Sequence, residues 1–205
     1  EDLSRLFNEL SGHSAKHDYS RILVAPHSLR KGLLFRIKRE TKNHLEGKTA
    51  WIRLKLNSLL DEEIIAALYE AANAGVKIEI IVRGICALQF STQAQRDNIK
   101  VRSILGRFLE HSRIYYFKND GAEEYYIGSA DVMHRNLDRR VEALVRIDAE
   151  KHKDRLRRIL DDSVSENYST WSLLDDNQWQ RKARDFDGNL LVNFQDHFVE
   201  KHNRA

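Results

Sequence analysis

Residues 50–82 constrain the fold more than any other stretch of this chain. AWIRLKL at 50–56 alternates apolar and polar positions, with Ile52, Leu54 and Leu56 on one face, and stops at Asn57-Ser58, as a strand does. Asp61, Glu62 and Glu63 then put carboxylates where a helix dipole favours them, and Ile64, Ile65, Leu68 and Ala72 recur as the buried stripe of that helix. Gly75 ends it. VKIEIIV at 76–82 is a second strand rich in β-branched residues. The segment therefore reads as a β-α-β unit whose two strands are parallel neighbours. With 205 residues in all, the chain is expected to form one α/β domain with a tail.

The flanking elements are less sharply marked. Leu3, Leu6, Phe7 and Leu10 have helical spacing, and the polar stretch after them reads as a linker, so 1–20 is taken as a helix and linker from a preceding domain. RILVAP at 21–26 predicts a strand ended by the chain's one proline, followed by a helix over 28–45 with Leu33, Ile37 and Leu45 on its apolar side. Further strands are expected at 99–104, 113–118, 123–129 and 140–147, and a helix at 149–165. The domain is thus drawn over 21–168, and 169–205 as a tail that regains helix where Leu190, Leu191, Phe194 and Phe198 recur.

Composition excludes more than it identifies. With 34 basic and 31 acidic residues, the net charge of +3 is too small to announce a nucleic-acid binder, so the placement of the positive charges matters more than their number. The single cysteine, Cys86, rules out an internal disulfide and a multi-cysteine metal site and fits the cytoplasm. No apolar run is long enough for a membrane span, which leaves docking at the membrane periphery open. The chain starts at Glu1 and has its only methionine at Met133, which points to a piece of something longer.

In parallel α/β sheets ligands collect beyond the carboxyl ends of the strands, where Asn57, Ser58 and Arg83 are expected. Asn57 and Ser58 read better as turn residues. Arg83 is read as a phosphate ligand, because Gly84 beside it has no side chain to block an anion's approach to the planar guanidinium. The segment NIKVRSILGRFLEHSRIYYF carries Lys100, Arg102, Arg107 and Arg113 against one acid, Glu110, and contains His111. Strand spacing puts His111 and Arg113 on one side, where imidazole and guanidinium could clamp one phosphate. A lone histidine among nine would be read as structural, but basic company and the later GSAD and RNLDRRVE favour function for His111.

His-x-basic followed by Gly-Ser-x-Asp is similar to the half-site of the phospholipase-D-like superfamily, with Arg113 in place of the usual lysine and Lys118 where an aspartate would fall. Those departures match a narrower pattern. VAPHSLRKGLL, LKLNSLLDEEIIAALYEA, GVKIEIIVRGIC, NIKVRSILGRFLEHSRIYYF and YYIGSADVMHRNLDRRVEALVRI, in that order, closely resemble the last domain of long, multidomain polyphosphate kinases.

The resemblance implies a phospholipase-D-like α/β domain, a mixed sheet flanked by helices. It also implies a share in reversible transfer of the terminal phosphate of ATP onto polyphosphate, through a phosphohistidine on the preceding domain. Arg83, His111 and Arg113 would contact ATP phosphates, with His111 also the acid or base. Lys100, Arg102, Arg107, Arg135, Arg139 and Arg140 would line the polyphosphate path. Mg2+ would be held by the preceding domain, and no metal ligand is assigned to this chain. The partners implied are ATP or ADP, polyphosphate, the other domains and further copies in a homo-oligomer, without nucleic acid. The fragment alone is expected to be inactive. The competing expectation is a stand-alone module for nucleic acid or polyphosphate, its basic stretches interleaved with Tyr115, Tyr116, Tyr125 and Tyr126. Sheet packing is the plainer reading of those tyrosines.

Overall fold

The computed structural model describes residues 1–13 and 19–203, so 14–18 of the expected linker lie outside the described residues. In chain order the elements are α1 (Asp2–Leu10), β1 (Ile22–Ala25), α2 (Leu29–Leu45), β2 (Trp51–Leu56), α3 (Glu62–Asn73) and β3 (Lys77–Val82). They continue with α4 (Gln93–Asn98), β4 (Ile99–Ser103), β5 (Ile114–Phe117), β6 (Glu124–Gly128), β7 (Glu142–Ile147) and α5 (Glu150–Val164). The last are β8 (Tyr168–Leu173), β9 (Trp179–Lys182), β10 (Val192–Asn193) and α6 (Phe194–Asn203).

One mixed sheet organises all of them. Its order is β1-β7-β6-β5-β2-β3-β4-β8, with β9 and β10 both joined to β8. β2 and β3 are parallel neighbours in register from Trp51 opposite Lys77 to Leu56 opposite Val82, as the β-α-β reading requires. Asp61 caps α3 by accepting the Ile64 N–H at 3.1 Å, and the expected stripe of Ile64, Ile65, Leu68 and Ala72 is buried. α2 and α3 cover one face, where Leu33 and Ile37 meet Ile52, Leu54 and Leu56. α5 and α6 cover the other, where Leu160 and Phe194 meet Ile81, Ile114 and Tyr116.

This double cover explains why the polar positions of β2 are buried too. Arg53 is 2% exposed and pairs with Glu79 of β3 at 2.7 Å and Asp161 of α5 at 2.6 Å, while its guanidinium lies over Trp51. The four tyrosines of β5 and β6 are buried, and Tyr116 and Tyr125 lie 4.7 Å apart, so they fill the core and are withdrawn from base stacking.

Two expectations are corrected. Leu45 is 71% exposed, because it lies roughly 80° around the helix from Ile37. Glu40 occupies the buried side in its place, accepting the N–H groups of Trp51 and Asn119, and burial raises its carboxyl pKa. Leu190 and Leu191 precede α6 in a β-type pairing with Arg184 and Ala183, so their spacing is helical without a helix. α1 forms as its spacing predicts, with Leu3, Phe7 and Leu10 exposed and Leu6 as its anchor. The division drawn after residue 168 falls inside β8, which extends the sheet by pairing with β4.

Strand direction places the carboxyl ends of β1, β2, β3, β4 and β6 and the start of β5 along one edge. The residues discussed next lie there. Among the described residues no helix is long and apolar enough to cross a membrane.

Candidate active site

Asp131, just past β6, is the hub of this edge. Its carboxylate is buried and accepts the N–H of Asn57 at 2.7 Å, the N–H of Ser58 at 3.3 Å, and Nη2 of Arg113 at 2.9 Å. Asn57, buried at the end of β2, turns its Oδ1 toward β3 and accepts Nε of Arg83 at 3.0 Å. Gly84 approaches the same turn so closely that a Cβ there would lie 2.9 Å from the Asn57 carbonyl oxygen. Its N–H donates to that oxygen at 2.8 Å. Glycine at 84 thus serves the packing of two strand ends. Asn57 and Ser58 are framework, as the turn reading expects.

Two arginines are therefore aimed by one carboxylate. Arg83 is held through Nε, neither of its Nη atoms has a protein partner among the described residues, and the residue lines a cleft of about 440 Å3. Ile104, Gly106, Arg107 and Phe108 form its far wall. Arg113 is more heavily engaged. Besides Asp131 it donates from Nη1 to the backbone carbonyl of His111 at 2.8 Å, leaving one N–H on each Nη for an anion.

His111 and Arg113 both precede β5, so strand alternation does not govern them, and Arg113 reaches back to the histidine's backbone carbonyl while Asp131 holds its guanidinium from the other side. The His111 side chain is exposed to solvent. Just before it, Glu110 accepts hydrogen bonds from buried Lys55 of β2 and from Ser112, a second tether.

The edge does not gather every basic residue expected there. Arg107 shares the cleft with Arg83, and Arg135, Arg139 and Arg140 are exposed on and after a π-helical turn at the same edge. Lys100 stands at the start of β4 and lines a hollow at the opposite edge with Lys77 and Lys118. Arg102 donates to the Ser165 carbonyl and to Glu166, away from the cleft. Lys118, where the half-site pattern has an aspartate, pairs with Glu123 beyond the far end of β5.

Beside Asp61, Arg30 joins Asp61 and Asp138, and His134 bonds Glu62 at 2.5 Å and Asp138 at 3.2 Å. The bond to Glu62, then that to Asp138, raises the His134 pKa above its ordinary value. A raised histidine pKa contributes stability that is complete below the unfolded value, about 6.5, and is lost as pH rises through the folded value. Thermal melts of the chain and its His134→Gln variant should accordingly differ most at mildly acid pH and converge as the medium turns alkaline. A gap that widens with rising pH would contradict this latch.

A family model described as "Polyphosphate kinase C-terminal domain 2" matches residues 22–193. The chain belongs to the polyphosphate kinase C-terminal domain family. It is 49% identical over 203 residues to the polyphosphate kinase of Streptomyces coelicolor and 46% identical over 201 residues to that of Mycobacterium avium. These matches take in 99% and 98% of this chain but 27% of each relative's length. The solved polyphosphate kinase of Porphyromonas gingivalis superposes with a TM-score of 0.88 at 33% identity, over 100% of this chain and 32% of that one. Nuc from Salmonella typhimurium, a phospholipase D family member, covers 79% of this chain and 97% of its own at a TM-score of 0.52 and 16% identity, a likeness of fold alone. The polyphosphate kinase C-terminal domain thus has the phospholipase-D-like mixed architecture that the half-site pattern implies.

Proposed function

We propose that this polyphosphate kinase domain supplies one wall of a phosphoryl-transfer site, at which the terminal phosphate of ATP passes reversibly to polyphosphate through a phosphohistidine on a segment outside these residues. The observation that carries the reading is Arg83, held by its Nε with neither Nη partnered among the described residues, lining a cleft shared with Arg107. Phosphoryl transfer asks a protein mainly for positioning and for neutralisation of charge on the equatorial oxygens, and a fixed guanidinium provides both. Arg83 and Arg107 would hold ATP or polyphosphate oxygens, and the two remaining N–H groups of Arg113 would add to them. His111 would give a proton to the departing ADP oxygen and take it back in reverse.

The acidic side chains here do not suit a Mg2+ ion. Asp131 is taken up by the backbone N–H groups of Asn57 and Ser58 and by Arg113, and Glu110 by Lys55 and Ser112. Mg2+ would therefore be held by residues outside this chain. Arg135, Arg139 and Arg140 remain candidates for the polyphosphate path, whereas the positions of Lys100 and Arg102 argue against theirs. The surrounding enzyme is read as a cytoplasmic homo-oligomer on the family resemblance. A nucleic-acid module is less well supported, since the tyrosines it would need for stacking are buried.

Lysine substitutions test the role of guanidinium geometry in the complete kinase. Arg83→Lys keeps the charge but loses the fork that lets Nε bind Asn57 while the Nη groups bind phosphate. Arg113→Lys loses the paired donation to Asp131 and the His111 carbonyl. Each should lower kcat/KM by roughly 10- to 100-fold, the equivalent of one charge-assisted hydrogen bond. Wild-type kinetics in both variants would reduce the site to electrostatics alone.

A further inference from the structure

Between β4 and β5 the chain carries Arg107 and His111 through a loop with no helix or strand, and Leu105, Phe108 and Leu109 in it are more than half exposed. It is fixed by side chains from elsewhere. The buried amide of Gln195, in the first turn of α6, accepts the Phe108 N–H at 2.6 Å and donates to the Phe108 carbonyl at 2.7 Å. An amide has one acceptor and one donor end, so it can pair with both backbone groups of a single residue as a neighbouring strand would. Asn193 adds a bond from Nδ2 to the Leu105 carbonyl at 3.3 Å and braces Gln195 by accepting its N–H at 2.8 Å. The fit is close: a Cβ on Gly106 would lie 2.4 Å from Gln195 Oε1 and 2.9 Å from Asn193 Oδ1. Phe194 between them is 3% exposed in the core with Ile104 and Ile114, which anchors the clasp to the strands on both sides of the loop.

We propose that Gln195, braced by Asn193, is a positioning residue for phosphoryl transfer: it clasps the backbone of Phe108 and so sets where Arg107 and His111 stand. The inference rests on the reading of the site above. Lys55 and Arg113 hold the loop only at Glu110 and at the His111 carbonyl. Without Gln195 the stretch from Leu105 to Leu109 keeps one hydrogen bond among the described residues, from Asn193. Displacements of about an ångström at a transfer site cost up to 100-fold in rate.

The test uses the complete kinase, with ATP and polyphosphate as substrates. Gln195→Leu fills the space without either hydrogen bond. It should lower kcat by roughly 10- to 100-fold and speed amide exchange at Phe108, with exchange in α3 unchanged. In an Arg107→Ala, His111→Ala background the same substitution should cost less than about threefold, because a residue that acts through those two side chains has little left to lose. Gly106→Ala attacks the clasp from the loop side with α6 unaltered. It should reproduce the pattern, and it decides the question should Gln195→Leu fail to fold. A freed Phe108 amide with kcat within twofold of wild type would overturn the proposal, as would an equal loss with and without Arg107 and His111. If His111→Ala itself left kcat unchanged, the reading of the site would fail. An impaired His111→Ala beside an unimpaired Gln195→Leu would refute the clasp alone.

Discussion

His111→Ala in the complete kinase is expected to lower turnover by 10²- to 10⁴-fold, the range typical of a lost general acid or base, and to leave the fold intact. The fold should survive because the imidazole is exposed, and what the framework uses is the His111 backbone carbonyl, which alanine retains. His111→Gln should restore part of any loss in nucleotide binding, since an amide can still hydrogen-bond a phosphate oxygen. It should restore little turnover, because an amide exchanges no proton in the working range. A histidine that merely packs would behave in the opposite way, with both variants lowering the melting temperature and scarcely touching the rate. Turnover against pH, compared between wild type and the glutamine variant, separates the two outcomes.

The second large effect is expected at Asp131, and in stability first. Its carboxylate is buried and holds the Asn57 and Ser58 N–H groups together with the guanidinium of Arg113, which is 17% exposed. Asp131→Ala leaves those two N–H groups and a half-buried cation without their partner. Breaking a buried pair from one side typically costs about 3–5 kcal/mol. In a domain of this size that is a fall in melting temperature of roughly 6–20 °C. Adding Arg113→Met should recover part of the loss, since removing both partners is cheaper than removing one. Activity in the complete kinase should fall as well, because Asp131 aims Arg113 directly and Arg83 through Asn57. An Asp131→Ala domain melting within 2 °C of the parent would show that the hub is not structural.

The sequence patterns that proved legible were local ones. An alternating strand, an acid-capped helix closed at Gly75 and a β-branched strand specify the β2-α3-β3 unit, and the direction of its strands predicts which edge carries Arg83. Long-range pairings were not legible. Asn57 and Asp131 are 74 residues apart, and nothing in their spacing says that one caps the turn of the other. Lys100 and Arg102 looked like one basic block with Arg107, but a strand advances about 3.3 Å per residue, so the start of β4 is carried to the far edge. Arg102 meets Glu166 only because β8 returns beside β4. The role of the last segment was hidden for the same reason. Leu190 and Leu191 share helical spacing with Phe194, while the contacts that matter come from Asn193 and Gln195, whose partners are backbone groups that a sequence does not display.

In the proposed site labour is divided: Arg83, His111 and Arg113 position and protonate, while the covalent phosphate resides on another segment. Incubation of the complete kinase with ATP labelled at its terminal phosphate, followed by proteolysis at alkaline pH and mapping of the acid-labile label, tests it most directly. Phosphohistidine is expected outside residues 1–205, with none on the peptide containing His111. Acid-labile phosphate on His111 would make that residue the nucleophile and refute this division of roles.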